Sequence, residues 1–149
     1  MKLAALHLQA FGPFTDKVID FAAHGTNLHL IYGPNEAGKS SALRAMTDLR
    51  FGIPTRSADN FVHAHDRMRI AGVFIDRQGN SIGLARRKGR APTLSRFDPA
   101  VGLNSVQPAS AVDEQTLTGG LDRGAFESMF GLDHARLRKG GELLLEGQG

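Results

Sequence analysis

The chain has 149 residues, 41% of them apolar and 22% charged, and a net charge of +3 from 18 basic and 15 acidic side chains. That is the size and balance of one ordinary globular domain with enough apolar residues for a core, which excludes a disordered or strongly polyelectrolyte chain. The lack of cysteine excludes disulfides and thiolate metal sites, no run nears the roughly 18 apolar residues that span a bilayer, and the small basic excess leans toward polyanionic partners.

The opening stretch MKLAALHLQAFG is interrupted by His7 and Gln9 and has no cleavage site, so it reads as a strand rather than a signal peptide, and the chain as cytoplasmic with no membrane contact. Residues 3–8 predict a first strand, Gly12 and Pro13 centre a turn, and residues 17–21 (KVIDF) predict a second strand that returns as a hairpin. Residues 28–32 (LHLIY) are uncharged apart from a histidine and predict a third, buried central strand. Ala42, Leu43, Ala45, Met46 and Leu49 share one face at helical spacing, and Gly52 and Pro54 end that helix. Residues 59–66 are polar and His-rich and predict a loop. RMRIAGVFID and SIGLARRKG read as two strands joined by the hairpin signal RQGN. Residues 90–110, rich in Pro, Ser and Gly, predict a surface excursion. A short helix from Asp113 and a firmer one over GLDRGAFESMFGL, with Asp122 as N-cap, follow.

Between the third strand and the first helix lies GPNEAGKSS, residues 33–41, which fits G-x-x-x-x-G-K-[ST]. Strand, glycine-rich loop and helix form the context in which that string cradles phosphate. Gly33 and Gly38 let the backbone curl with its N–H groups inward, and the positive end of the helix adds to them. Asn35, Glu36 and Ala37 complete the nucleotide-binding set. Lys39 is the catalytic candidate, an ammonium between the β- and γ-phosphates, and the Ser40 hydroxyl is the expected Mg²⁺ ligand. Ser41 is a candidate donor to the α-phosphate. A cradle alone does not distinguish an ATPase from a GTPase or a small-molecule kinase, although no Asn-Lys-x-Asp guanine string occurs.

Three further strings invite chemistry. HAHD (His63, His65, Asp66) has spacing for a metal, but no Cys or second His pair completes a ligand set, and a solvated loop is the plainer reading. ARRKGR, residues 85–90, is the densest basic run and a candidate DNA contact, or simply the charged edge of a hairpin. LTGGLD with the later ELLLEG imitates an ABC signature followed by Walker B. Walker B needs Asp then Glu after its apolar run, and only Glu146 is present, so Gly119 and Gly120 read instead as a helix stop and Asp122 as the cap of the next helix.

GPNEAGKSS resembles the Walker A loop (residues 33–40) of the SMC-like and SbcC-like double-strand-break-repair ATPases, the Rad-fifty type. MKLAALHLQAFGPFTDKVIDF is similar to the N-terminal hairpin of SbcC-type proteins. NFVHAHDRMRIAGVFIDRQGNSIGLARRKGR and GGLDRGAFESMFGLDHARLRKGGELLLEGQG are closer to the YhaN-like AAA branch. The resemblance implies an α/β P-loop NTPase fold. The chain, residues 1–149, would be the N-terminal lobe of an ABC-type ATPase head, with an antiparallel β portion beside the P-loop sheet. It implies ATP and Mg²⁺ as cofactors and hydrolysis only with the C-terminal half of the same head, which brings the signature and Walker B; the isolated half would be inactive or very weak. It further implies ATP-dependent head-to-head homodimers, DNA and a nuclease as partners. Its Q-loop would fall at residues 129–137, where His134 stands in place of the expected Gln as a second metal candidate. Two other classes stay open: a stand-alone small P-loop kinase or NTPase, and a nucleotide-dependent dimerisation module that never hydrolyses.

Overall fold

A computed structural model describes residues 1–23, 25, 27–34, 38–131, 134–145 and 147. It resolves into two compact units, Met1–Gly119 and Gly120–Gly149. In the first, β1 (Lys2–Phe11) and β2 (Phe14–Asp20) form the expected hairpin, and α1 (Lys39–Phe51) follows. Then come β3 (Arg69–Ile75), β4 (Ser81–Arg87), β5 (Leu94–Phe97), β6 (Gln107–Pro108) and α2 (Ala111–Thr118). The six strands make one sheet in the order β2-β1-β3-β4-β5-β6, antiparallel at every pairing.

Alternation along the strands decides what α1 covers. Ala4, Leu6 and Leu8 of β1 are buried while Ala5, His7 and Gln9 between them are only half-buried. Leu6, Leu8, Ile70, Phe74, Leu84 and Leu94 form one core with Ala42, Ala45 and Leu49 of α1 and Leu117 of α2. Each fully buried Leu, Ile or Phe contributes roughly 1.5–3 kcal/mol relative to exposure. Leu43, assigned to the apolar face by spacing, is 49% exposed instead.

The end of α1 is tied to the sheet by a buried cation. Arg86 of β4 donates through Nε to the Leu49 carbonyl (3.1 Å) and through Nη2 to the Arg50 carbonyl (2.8 Å). The same guanidinium pairs with Glu114 of α2 at 3.1 Å. A positive charge at a helix C-terminus satisfies its orphan carbonyls and opposes its dipole.

Two expectations are corrected. Residues 28–32 do not join the sheet: Leu28, Leu30 and Tyr32 are 85–88% exposed, and His29 turns the other way to meet the Phe21 ring edge-on at 5.1 Å. Ile31, between Leu30 and Tyr32, is exposed as well, and residues 28–32 are not among the strands of the six-stranded sheet. The mixed α/β class therefore holds, while the P-loop sheet expected beside the antiparallel portion is not formed among these residues. Residues 90–110 are more than an excursion. They supply β5 and β6, held by the burial of Leu94 and Phe97.

In the second unit, α3 (Arg123–Phe130) and α4 (His134–Leu145) are helical. Asp122 caps α3 by accepting from the Ala125 amide at 2.7 Å. Gly119 ends α2 with φ 64°, so LTGGLD is a stop and a cap rather than a signature motif. Glu146 lies outside the described residues. Among the described residues no helix is long and apolar enough to cross a membrane.

Candidate nucleotide-binding site

Helix α1 begins at Lys39 with Gly38 as N-cap in the left-handed region (φ 89°, ψ 20°). No side chain caps it, and its first turn contains no acidic residue. Its leading N–H groups are therefore uncapped by side chains at the positive end of a 13-residue dipole, the arrangement that binds an anion. Gly38 is required twice over. Its φ suits glycine, and a Cβ there would come within 2.6 Å of Phe14 Cζ and 2.8 Å of Pro13 Cγ. The turn of the first hairpin thus presses directly on the glycine loop.

Lys39 folds back over that loop. Its ammonium donates to the Gly33 carbonyl and lies 3.5 Å from the Pro34 carbonyl, so the loop's start and the helix's start are joined through one cation. The two serines part company. Ser40 is exposed at the loop. Ser41 is buried and donates its hydroxyl to Asp59 Oδ1 at 2.7 Å. Asn35, Glu36 and Ala37 lie outside the described residues. His134 opens α4 in the second unit, and its side chain also lies outside them.

Sequence reasoning missed Asp59. It is 1% exposed and receives two 2.7 Å bonds from the Arg44 guanidinium, through Nε and Nη2, besides that of Ser41. Its own carbonyl accepts from the Gly12 amide at 2.8 Å. One residue of the loop after α1 thereby joins the hairpin turn to the phosphate end of the helix. That hydrogen bond to Asp59 holds the Arg44 guanidinium above its ordinary pKa. Gly12 has φ 55°, and a Cβ on it would overlap Ser41 at 2.8 Å. The readable signal was a lone Asp in a polar loop, which resembles any solvated Asp.

His63 also serves the turn. Its Nε2 donates to the Phe14 carbonyl at 2.8 Å and lies 3.0 Å from Thr15 Oγ1; a carbonyl only accepts, so the proton is on Nε2. His65 Nε2 meets the Asn60 amide at 2.6 Å. His65 and Asp66 begin a single 3-10 turn, His65–Arg67, so the stretch expected as a loop over residues 59–66 ends in a short helical turn; among the described residues no group of three or more His, Cys, Asp or Glu could hold a metal ion. Only part of the basic run is spent inside the fold: Arg86 is buried and Lys88 donates to the Pro54 and Thr55 carbonyls at 2.7 Å each, while Arg87 and Arg90 are exposed.

The donor set fits a nucleotide phosphate: a bare helix start, a glycine that admits no side chain, an ammonium and an exposed hydroxyl. The chain is 26% identical over 136 residues to YhaN of Bacillus subtilis, covering 89% of this chain and 13% of that protein. It is 31% identical over 112 residues to the SbcC component of the SbcCD nuclease of Lactococcus lactis, covering 64% of this chain and 10% of that protein. The chain thus spans only 13% and 10% of the length of these curated relatives. The family model described as "AAA domain" matches residues 1–149, the whole chain. By that match the chain belongs to the AAA domain family, and its likeness to the two relatives makes it SbcC- and SMC-like.

Proposed function

We propose that residues 1–149 are the Walker A half of an ABC-type ATPase head that binds Mg²⁺-ATP. The observation that carries this reading is the start of α1, where Gly38 in the left-handed region, uncapped N–H groups, Lys39 and the exposed Ser40 converge. Gly33, Asn35, Glu36, Ala37 and Gly38 cradle the phosphates with backbone N–H groups. Lys39 exchanges the carbonyls it now holds for β- and γ-phosphate oxygens. Ser40 would hold Mg²⁺, which would supply positive charge for the transferring phosphoryl group. Ser41 contributes its backbone N–H, since its hydroxyl is given to Asp59.

The exposure of Leu30, Ile31 and Tyr32 supports the missing-half reading. A strand that leads into a phosphate loop is ordinarily buried on both faces; here we assign its cover to the C-terminal half of the head, which would also bring the residue that activates water. His134 is assigned to the Q-loop position. The likeness to a component of the SbcCD nuclease supports head-to-head dimers, DNA and a nuclease as the working context of the full protein, in double-strand-break repair in the cytoplasm.

The test is Mg²⁺-ATP binding by calorimetry together with phosphate release, with Lys39→Ala alongside. Lys39-dependent binding without turnover, and turnover on adding the C-terminal half, is the expected result. Lys39-dependent turnover by this chain alone would overturn the half-head in favour of a small complete NTPase. ATP-dependent dimers with no turnover even after reconstitution would favour a dimerisation module.

A further inference from the structure

The face of the sheet turned away from α1 holds a second feature. Leu8, Ile70, Leu84 and Leu94 pack in the core with α1, so alternation sends Gln9, Arg69, Ala85, Arg87 and Ser95 to the other side. There a cleft of about 500 Å³ opens between strands β1, β3, β4 and β5 and residues 103–106. Arg69 and Arg87 both line it, and they are direct cross-strand partners in the β3–β4 register. Like charges facing each other across a strand pair are destabilising on their own. Among the described residues no Asp or Glu lines the cleft. Among the described residues neither guanidinium has a carboxylate partner.

Both cations are nevertheless held in place. Arg69 Nη1 donates to the Met68 carbonyl at 3.0 Å and the Asp66 carbonyl at 3.3 Å. Arg87 Nη2 donates to the Pro92 carbonyl at 3.1 Å and the Arg90 carbonyl at 3.2 Å. Each guanidinium has five N–H donors and spends one nitrogen on these braces, so its remaining edge keeps donors for a ligand. Arg86, the other charged residue of the wall, is committed to Glu114 and to the end of α1. Gln9, Ser95 and Asn104 add neutral donors around the pair.

We propose that this cleft is an anion site that receives a phosphate group between Arg69 and Arg87, separate from the glycine loop and sharing no residue with it. Two paired, braced guanidiniums in a cleft without carboxylates match phosphate oxygens through charge-assisted hydrogen bonds. The phosphate is either one of a nucleic-acid backbone or one of a free polyphosphate. The inference does not depend on ATP binding at Lys39.

The experiment titrates the 149-residue chain with a short fluorescein-labelled DNA duplex by anisotropy over a range of salt, and with inorganic tripolyphosphate by calorimetry. Wild type, Lys39→Ala, the double variant Arg69→Gln/Arg87→Gln, and Val106→Glu are compared. Val106 lines the cleft and is 49% exposed, so Val106→Glu adds a negative charge at its lip with little effect on the fold. The expected result is duplex binding that weakens about tenfold or more in the double variant, with a salt slope shallower by about two, one for each phosphate no longer neutralised. Val106→Glu weakens it in the same sense, and Lys39→Ala leaves it unchanged. Tripolyphosphate binding with the same dependence on Arg69, Arg87 and Val106, and no duplex binding, would support the site and identify a small ligand as its source. Binding unaltered in a folded double variant, or, should that variant fail to fold, unaltered in Val106→Glu, would overturn the proposal, as would binding of neither probe. No ATP binding by the wild-type chain, or ATP binding unaltered in Lys39→Ala, with cleft binding intact would sink the nucleotide reading and leave this one standing.

Discussion

The Ser41 hydroxyl donates to Asp59 Oδ1 at 2.7 Å, while Ser40, its neighbour in the phosphate motif, stays exposed. Adjacent serines therefore divide between holding the loop's frame and meeting its ligand. Ser40→Ala should leave thermal stability within about 0.5 kcal/mol, as exposed substitutions do, yet weaken the Mg²⁺ dependence of ATP binding. Ser41→Ala should instead cost about 1–3 kcal/mol by leaving a buried acceptor short of a donor. Melting curves and calorimetry on the two variants check the division.

Arg44 and Asp59 form an unequal pair, since Arg44 is 49% exposed and Asp59 is 1% exposed. Removing the arginine strands a buried carboxylate, whereas removing the aspartate leaves a cation that water can reach. Arg44→Ala should therefore destabilise by about 3 kcal/mol, and Asp59→Ala by less. Urea denaturation of both singles and the double variant measures the difference and the coupling.

Gly38→Ala should abolish nucleotide binding and destabilise the chain by about 1–3 kcal/mol, because φ 89° is strained for alanine. A Cβ would also meet Phe14 Cζ at 2.6 Å. Phe14→Leu in the same chain relieves the overlap with the ring but neither the 2.8 Å approach to Pro13 Cγ nor the backbone strain, so it should restore stability only in part. A full rescue would assign the whole cost to the ring.

Arg86 is 4% exposed and Glu114 46%. Arg86→Ala opens the carbonyl end of α1 as well as the ion pair and should cost about 3 kcal/mol or more. Glu114→Gln keeps the guanidinium's bonds to the Leu49 and Arg50 carbonyls and should cost about 1 kcal/mol. Chemical denaturation of the two variants decides whether the cap or the ion pair dominates.

Burial lowers the pKa of His7, which stands between Val18 and Ala71 in the sheet register. The folded chain then binds its proton less readily than the unfolded one. Stability from this group is present above the ordinary histidine value of about 6.5 and is lost as pH falls through that value toward the lowered one. His7→Gln should flatten that part of the stability curve, as read from melting temperatures between about pH 7.5 and 5.

Most of the antiparallel sheet was legible because its signals are local. Gly12-Pro13 and RQGN mark turns between runs of strand-forming residues, and β1–β2 and β3–β4 formed where they point. The short β5 and β6 were not, since four and two residues amid Pro and Gly leave no period to read. Residues 28–32 have the composition of a central strand, but composition states a preference for burial and does not supply the neighbours. The phosphate motif was readable as a string. The clamp of Ser41, Arg44 and Asp59 was not, because it depends on a loop returning 15 and 18 residues later to the helix that precedes it.

The sheet order has a consequence for the order of assembly. Pairings β1–β2, β3–β4, β4–β5 and β5–β6 join strands consecutive in sequence, and among the described residues only β1–β3 reaches across α1. Such a topology closes mostly short loops and should collapse quickly. The hairpin turn, α1 and the Asp59 tether can thus set as a finished frame before residues 28–32 find any strand to lie beside. What arrives later docks onto a phosphate loop already held at both ends, by Lys39 on one side and by the hairpin on the other.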